Sequence, residues 1–502
     1  MDPWLLFITI LCISASLFSL FFHTKNLPPG PPTIPIIGTF SWLLKSSKDF
    51  SSIEPLLRQL RPKYGPILTL HIGYRPAIFI TTHEAAHRAL VQSGSLFASR
   101  PPALETTRIF FSNQHTLSTA PYGSLWRLLR RNFMSVTHPS RLRLYSHGRK
   151  WAFEILKKKL VEEAESSDVK AFPVVDHFQR AMFCLLAYLC FGENFEEKVI
   201  REIETVQRAS LTNFIRFNLL NFMPKLGKIV FRRMWKELLQ IRRDQESVLL
   251  PLIKARQAKN RNIMNKEEPI FSYVDSLLDL RLPGGEREIS DGELVSLCSE
   301  FINGGTDTST TTLQWAMANI IKQENIQNKL LKEINAVTEE GSEIQEKDLK
   351  RMPYLKAVVL ETLRRHPPGH FILPRAVTED VKFDGYDIPK NAMVNFTVAD
   401  MAWDPKVWED PMEFKPERFM RNVEEEVFDI RGVREIKMMP FGAGRRICPA
   451  ISMALLHLEY FVANLVREFE WSGEVDLSEN QEFTTVMKNP LRVRITPRKL
   501  LS

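Results

Sequence analysis

Ser290 stands three residues before Glu293, and helical character then runs without a break to about Gln323. A serine so placed accepts a first-turn backbone N–H while the glutamate reaches back, so the pair marks a helix start. At the rise of an α-helix the run is roughly 50 Å long. A helix of that length crosses a whole domain, and the rest of the chain has to be built around it. By length alone the 502 residues suggest about three domains, but no flexible linker and no repeat divides them. One large, mainly helical body is expected. Gly304 and Gly305 lie inside the run, where each costs about 1 kcal/mol relative to alanine. That cost points to a local need. A flat ligand could approach the backbone there, and an opened helix hydrogen bond could receive the Thr308 hydroxyl, with Asp307 beside it to carry protons. A kinked Ser/Thr-rich surface helix is the plain alternative.

A second constraint is the loop Pro440-Phe441-Gly442-Ala443-Gly444-Arg445-Arg446-Ile447-Cys448-Pro449-Ala450, followed by an apolar helical run from Ile451 to Val466. A thiolate that ligates a metal needs deprotonation, backbone N–H groups aimed at the sulfur, and positive charge nearby. Gly442 and Gly444 let the backbone fold tightly around a sulfur. Arg445 and Arg446 are expected to lower the thiol pKa. Pro449 suits the first turn of the following helix, whose N-terminus then faces the thiolate. An ordinary buried cysteine is the alternative.

The bulk properties agree with one catalytic body. Cys12, Cys184, Cys190, Cys298 and Cys448 are scattered and form neither zinc-like pairs nor a disulfide framework, which fits a reducing compartment. The net charge of +8 is spread along the chain. Nucleic-acid binding would want a basic stripe on a known module, and there is none. A membrane surface or an acidic protein partner accounts for the excess better. Trp4 to Phe22 is a stretch of 19 residues without a charge, long enough to span a hydrocarbon core. His23 and Lys25 follow it, so an uncleaved signal-anchor with the body on the cytosolic side is expected, a cleaved signal peptide being the competing reading. The prolines of Leu27-Pro28-Pro29-Gly30-Pro31-Pro32-Thr33-Ile34-Pro35 then make a stiff spacer.

Three further patterns complete the set. Trp126 and Arg130 are four apart and share a helix face. Pro353 starts a helix that ends near His366-Pro367-Pro368, with Glu361 and Arg364 three apart within it. Phe414-Lys415-Pro416-Glu417-Arg418-Phe419 lies downstream, and Pro374-Arg375 between them. Taken singly, each arginine reads as a solvated surface charge.

Together these residues resemble the cytochromes P-450. The loop matches their haem-ligating pattern, Phe-x-x-Gly-x-Arg-x-Cys-x-Gly, at Phe441, Gly444, Arg446 and Cys448, and departs from it at Ala450. Gly305, Asp307 and Thr308 match the oxygen-activation motif. Glu361, Arg364 and Arg418 match a buried structural network. Trp126, Arg130, Arg375 and Arg446 match haem-propionate contacts. The motifs stand in the family's order from about Leu5 to Ala450, and the details are most similar to plant microsomal members of the clan serving specialised metabolism.

The resemblance implies a mainly α fold with a small β-rich part, preceded by one transmembrane helix: anchor 1–25, hinge 26–38, catalytic domain 39–502. It implies haem b with Cys448 as axial iron ligand and with Phe441 and Gly442 in the cofactor-binding loop. Asp307 and Thr308 would be the catalytic pair. One oxygen atom of O2 would enter a lipophilic small molecule, with electrons from NADPH through a separate reductase, cytochrome b5 being a further candidate donor. The location would be the endoplasmic reticulum membrane. Arg127, Arg131, Arg149, Lys150 and Arg445 are candidates for the reductase-docking face. A reductase-independent isomerase or dehydratase is the alternative, and a tethered binding protein without turnover a third reading.

His83-Glu84-Ala85-Ala86-His87 competes with all of this, because H-E-x-x-H on a helix is a zinc-peptidase pattern. No third ligand follows at a recognisable spacing, although Glu105 is a conceivable candidate. By resemblance, substrate recognition falls near 102–120, 206–231, 369–376 and 483–489, with Phe110, Phe111, Phe214, Phe217, Phe222, Ile372 and Val486 lining an apolar pocket. His370 and Arg108 could orient a polar group there. Equally, the aromatics could face core or membrane.

Overall fold

The computed structural model describes residues 26–32, 53–72, 75–166, 171–214, 216–221, 228–262, 271–284, 287–339, 342–420 and 428–498, with isolated positions among the first 14. The expected anchor over 4–22 lies almost wholly outside these residues, as do positions 33–38 of the proline-rich spacer. Among the described residues no helix is long and apolar enough to cross a membrane. The described part of the spacer is fastened down. The Pro29 carbonyl accepts the Thr69 N–H at 2.9 Å, and a Cβ on Gly30 would stand 1.9 Å from the Thr69 carbonyl oxygen.

The chain forms two compact units. The first comprises Met1–Pro102, His370–Met401 and Asp429–Ile447. It contains helix α1 (Ile53–Tyr64), strands β1 (Ile67–Ile72) and β2 (Arg75–Ile80), the short helix α2 (His83–His87), and strands β3 (Arg375–Ala376) and β4 (Met393–Phe396). The four strands make one sheet in the order β1-β2-β4-β3. β1 and β2 pair antiparallel with Ile67 opposite Ile80, while β4 runs parallel to β2. Strand side chains alternate between faces, and both faces are covered. Ile67, Ile78 and Ile80 enter one apolar cluster, and Leu68, Leu70, Ala77 and Phe79 enter another with Leu56, Leu57 and Leu60 of α1.

The second unit comprises Ala103–Gly369, Ala402–Phe428 and Cys448–Ser502 and is largely helical. Its helices include α3 (Ser124–Val136), α4 (Val175–Phe191), α5 (Glu197–Phe214), α6 (Arg232–Asn262), α7 (Asp291–Lys322), α8 (Pro353–Arg365) and α9 (Ile451–Glu468). α4 is apolar on all sides and buried from Ala181 to Phe191, as a core helix should be. α7 packs against it. Both bonds of the α7 capping box are made: Ser290 Oγ accepts the Glu293 N–H at 3.4 Å and Glu293 Oε2 accepts the Ser290 N–H at 2.8 Å. The helix ends on Gln323 as its cap.

α7 is helical straight through the paired glycines, where the alternative reading put a kinked surface helix. Gly305 serves helix packing instead, because a Cβ there would stand 2.7 Å from Leu186 of α4, whereas one on Gly304 would meet open space. A hairpin of β5 (Glu479–Gln481) and β6 (Thr485–Met487) is fastened to the far half of α7. Trp315 donates to the Thr485 carbonyl at 2.8 Å, and Thr311 bonds Thr484 at 2.9 Å. The Trp315 indole also stacks on His366, with ring centroids 4.0 Å apart and planes 2° from parallel. His366 Nδ1 meets Glu479 at 2.8 Å.

Burial pushes the His366 pKa down from 6.5 to about 4, although Glu479 works against the shift. The folded state therefore keeps this imidazole neutral while the unfolded chain takes up a proton. Stability is accordingly lost as pH falls from 6.5 to about 4, by on the order of 3 kcal/mol, and the loss levels off below that window. Urea midpoints at the two ends of the window should show it. His366→Phe, which keeps a ring in the stack, should remove that part of the pH dependence.

Candidate functional site

In the second unit the loop cysteine is surrounded by groups that favour its anion. Ala450 caps α9 with φ −102°, and helical residues begin at Ile451. Pro449 therefore lies ahead of the cap rather than in the first turn, and its carbonyl accepts the Thr137 hydroxyl at 3.2 Å. Cys448 is half-buried, and burial of its sulfur raises the thiol pKa. Two things oppose that rise: the Ala450 N–H donates to the sulfur, and the Arg130 guanidinium bears on it. A cation that bears on the thiol is thus Arg130 of α3, which lies far from the loop in sequence. Arg130 also lies over the Trp126 ring, 5.5 Å from its centroid. Burial lowers the Arg130 pKa, and the cysteine charge opposes this.

On α7, Thr308 donates its hydroxyl to the Gly304 carbonyl at 2.8 Å. Asp307 turns away toward α4 and accepts from Gln179 Nε2 at 3.0 Å. Burial raises the Asp307 pKa, with Gln179 working against it.

Glu361 and Arg364 of α8 are both fully buried, with contacts of 2.7 and 2.8 Å. Arg418 reaches the same carboxylate at 3.3 Å, and the Lys415 N–H donates to it at 2.8 Å. Arg364 spends its remaining donors on the carbonyls of Ala402, Pro411 and Glu413. A buried ion pair is tolerable when its remaining lone pairs and protons are satisfied, and this one meets that condition.

The first unit gathers the rest of the loop set. Gly442 and Gly444 have φ of 69° and 68°, the left-handed region that glycine enters without strain. A Cβ on Gly444 would lie 1.8 Å from the Leu90 carbonyl oxygen, and one on Gly442 3.6 Å from Ile372. Arg375 is buried on β3 and donates to the Arg446 carbonyl at 3.4 Å. Arg446 is buried too and donates to the Ala98 carbonyl at 2.6 Å. Phe441 is half-buried.

Zinc binding at the H-E-x-x-H residues and docking through Arg149 both fail on this geometry. The H-E-x-x-H residues do form α2, but His83 bonds the Met401 carbonyl at 3.0 Å and His87 the Val433 carbonyl at 3.1 Å. Among the described residues no group of His, Cys, Asp and Glu could hold a metal ion. Arg149 offers nothing to a docking partner. It is 1% exposed, donates to the Leu142 carbonyl and pairs with Glu346, and burial pushes its pKa down to about 10. Lys150 is paired with Glu343, while Arg127, Arg131 and Arg445 are exposed. His370 is bound to Glu54 inside the first unit, and Arg108 is an exposed partner of Glu105. Phe110, Phe111, Phe214 and Phe217 form one aromatic cluster with Leu238 and Ile241 of α6. Ile372 belongs to the core of the first unit, Val486 is half-buried, and Phe222 lies outside the described residues.

The family model described as Cytochrome P450 matches residues 28–497. Cytochrome P450 89A9 of Arabidopsis thaliana is 47% identical, covering 98% of this chain and 99% of that protein. Costunolide synthase of Tanacetum parthenium is 29% identical, with 95% and 94% covered. Flavonoid 3'-monooxygenase of Arabidopsis thaliana is 28% identical, with 95% and 92% covered. A zebra fish cytochrome P450 solved with progesterone superimposes with a TM-score of 0.74 at 22% identity, covering 88% of this chain and 99% of that one. That likeness shows the fold, which is mainly helical with a small β part.

Two outcomes are expected from this geometry. Glu361→Gln leaves Arg364 buried without its counter-charge and should lower unfolding free energy by about 3 kcal/mol or more, read from denaturant titration. The ordinary φ of Ala450 does not call for glycine, so Ala450→Gly should leave haem occupancy, read from the ratio of haem to protein absorbance, unchanged.

Proposed function

Since the chain belongs to the cytochrome P450 family, which uses haem and O2, we propose that it is a membrane-anchored haem-thiolate monooxygenase. It would insert one oxygen atom from O2 into a lipophilic small molecule, with electrons from NADPH through a separate reductase. The observation that carries this reading is the sulfur of Cys448, which receives the Ala450 N–H and the charge of Arg130. A buried thiol so provided fits the donor an iron-bound thiolate requires. Once bound, the haem supplies the oxygen-activating chemistry.

The protein's own residues would do the rest. Cys448 would hold the haem iron through its thiolate, with Phe441 and Gly442 in the same loop. Trp126, Arg130, Arg375 and Arg446 would hold the haem's carboxylates, since guanidinium groups suit carboxylates in charge and shape. Burial raises the Asp307 pKa, so this carboxyl holds its proton to a higher pH than an exposed one, and Gln179 fixes which way it faces. The Thr308 hydroxyl, tied to the Gly304 carbonyl, presents its oxygen lone pairs to a proton arriving on that side. Glu361, Arg364 and Arg418 hold α8 rigid and do no chemistry. Keeping both Asp307 and Thr308 favours oxygen insertion over peroxide rearrangement. Flavonoid 3'-monooxygenase among the relatives supports the same choice.

The organisation is proposed as anchor 1–25, hinge 26–38 and catalytic domain 39–502, in the endoplasmic reticulum membrane. The exposed Arg127 and Arg131 would meet an acidic reductase face, with cytochrome b5 a second donor.

The reduced, CO-bound protein should absorb at about 450 nm. Cys448→Ser should abolish that band while the native secondary structure survives. A parent protein whose band never approaches that wavelength would overturn thiolate ligation.

A further inference from the structure

Ser299, Asn303 and Asp307 stand one turn apart on α7 and so lie along one face of it. Asp307 is engaged by Gln179. The other two join Gln207 of α5 and Gln245 of α6 in a buried polar cluster. The relative exposures are 0% for Gln207, 2% for Gln245, 7% for Ser299 and 8% for Asn303.

The sense of every bond in this cluster follows from Arg242. Its Nη1 donates to Gln245 Oε1 at 2.9 Å, which leaves Gln245 Nε2 to donate to Gln207 Oε1 at 2.9 Å and to Ser299 Oγ at 2.7 Å. Gln207 Oε1 also accepts the Ser299 hydroxyl at 2.9 Å and Asn303 Nδ2 at 3.5 Å. Two atoms remain. Gln207 Nε2 is a donor and Asn303 Oδ1 an acceptor, and both are buried without a hydrogen-bond partner among the described residues. Buried polar groups are paired in nearly all folded proteins. The next residue on α7 is Gly304, where a Cβ would meet open space. Arg242 also donates to the Phe110 carbonyl at 3.5 Å, so the aromatic cluster lies directly beside the polar one.

We propose that Gln207 and Asn303 form a recognition subsite for a neutral substrate group that carries an acceptor and a donor side by side, as a carboxamide does. The Gln207 N–H donates to its carbonyl oxygen, and Asn303 Oδ1 accepts its N–H. An ionised carboxylate is disfavoured, because it would set an acceptor against Asn303 Oδ1. The inference rests on the monooxygenase reading and narrows its substrates to largely apolar molecules with one amide-like head.

The test uses the full-length, haem-loaded protein and two probes on one skeleton: the primary amide of phenylbutyric acid and the methyl ketone in which CH3 replaces NH2. Binding is read by titration calorimetry. The parent should bind the amide about tenfold more tightly than the ketone. Asn303→Leu should bring that ratio close to one while leaving ketone affinity unchanged. Gln207→Met should weaken both probes by a similar factor. The parent comparison needs no variant, and each ratio is taken within one preparation, so partial unfolding cannot imitate the result. A parent that binds the ketone as tightly as the amide, or a ratio that Asn303→Leu does not move, would overturn the subsite. A CO spectrum on the same sample separates the two readings. A band at about 450 nm without amide preference removes the subsite alone, whereas a missing band removes the monooxygenase and leaves the binding ratio to judge the subsite.

Discussion

A thiol taken out of water resists losing its proton, and the site proposed here depends on defeating that resistance at Cys448. Burial raises the pKa of the group, and the structure answers with one backbone N–H and one guanidinium. Together they offset only part of the effect of burial, so each has to be held in place. Ala450 is held as the cap of α9, with its carbonyl accepting the Ala454 N–H at 2.8 Å. Arg130 is held on α3 by its stack on Trp126. An iron ion would tip the balance fully toward the anion, because a coordinating thiol is deprotonated outright.

The same logic separates two kinds of buried polar group in the second unit. Around Glu361 every strong donor and acceptor finds a partner, and such a network stiffens what it joins. Around Gln207 the bonding is directional but stops one donor and one acceptor short. The first arrangement suits a brace and the second a recognition surface. Both are made of the same residue types, so the distinction lies in saturation and not in composition.

What could be read from the sequence was mostly local. The capping box at Ser290 and Glu293 marked the start of a long helix to within a residue, because caps act through neighbours three positions apart. The turn at Gly442 and Gly444 was readable for the same reason. Burial was not, since it depends on what other segments bring. Arg149 lies on a polar-looking helix, yet it is enclosed and paired with Glu346. Gly305 suggested a ligand, but the group it makes room for is Leu186. His83 and His87 have ligand spacing, but carbonyls more than 300 positions away in sequence take up their ring nitrogens. The pattern of a motif is local and its function is not.

The Gln207 and Asn303 pair had no sequence signature for a related reason. Its members come from α5 and α7, and its orientation from Arg242 and Gln245 on α6. No spacing rule connects three helices. An amide is symmetric in size and opposite in polarity at its two ends, so one anchored end decides what the other can offer. Arg242 anchors the first amide, and the choice passes from Gln245 to Gln207 and Asn303 without further freedom. Specificity of this kind can change by substitution at Arg242, which would release the orientation of the whole relay without touching a residue that meets the substrate.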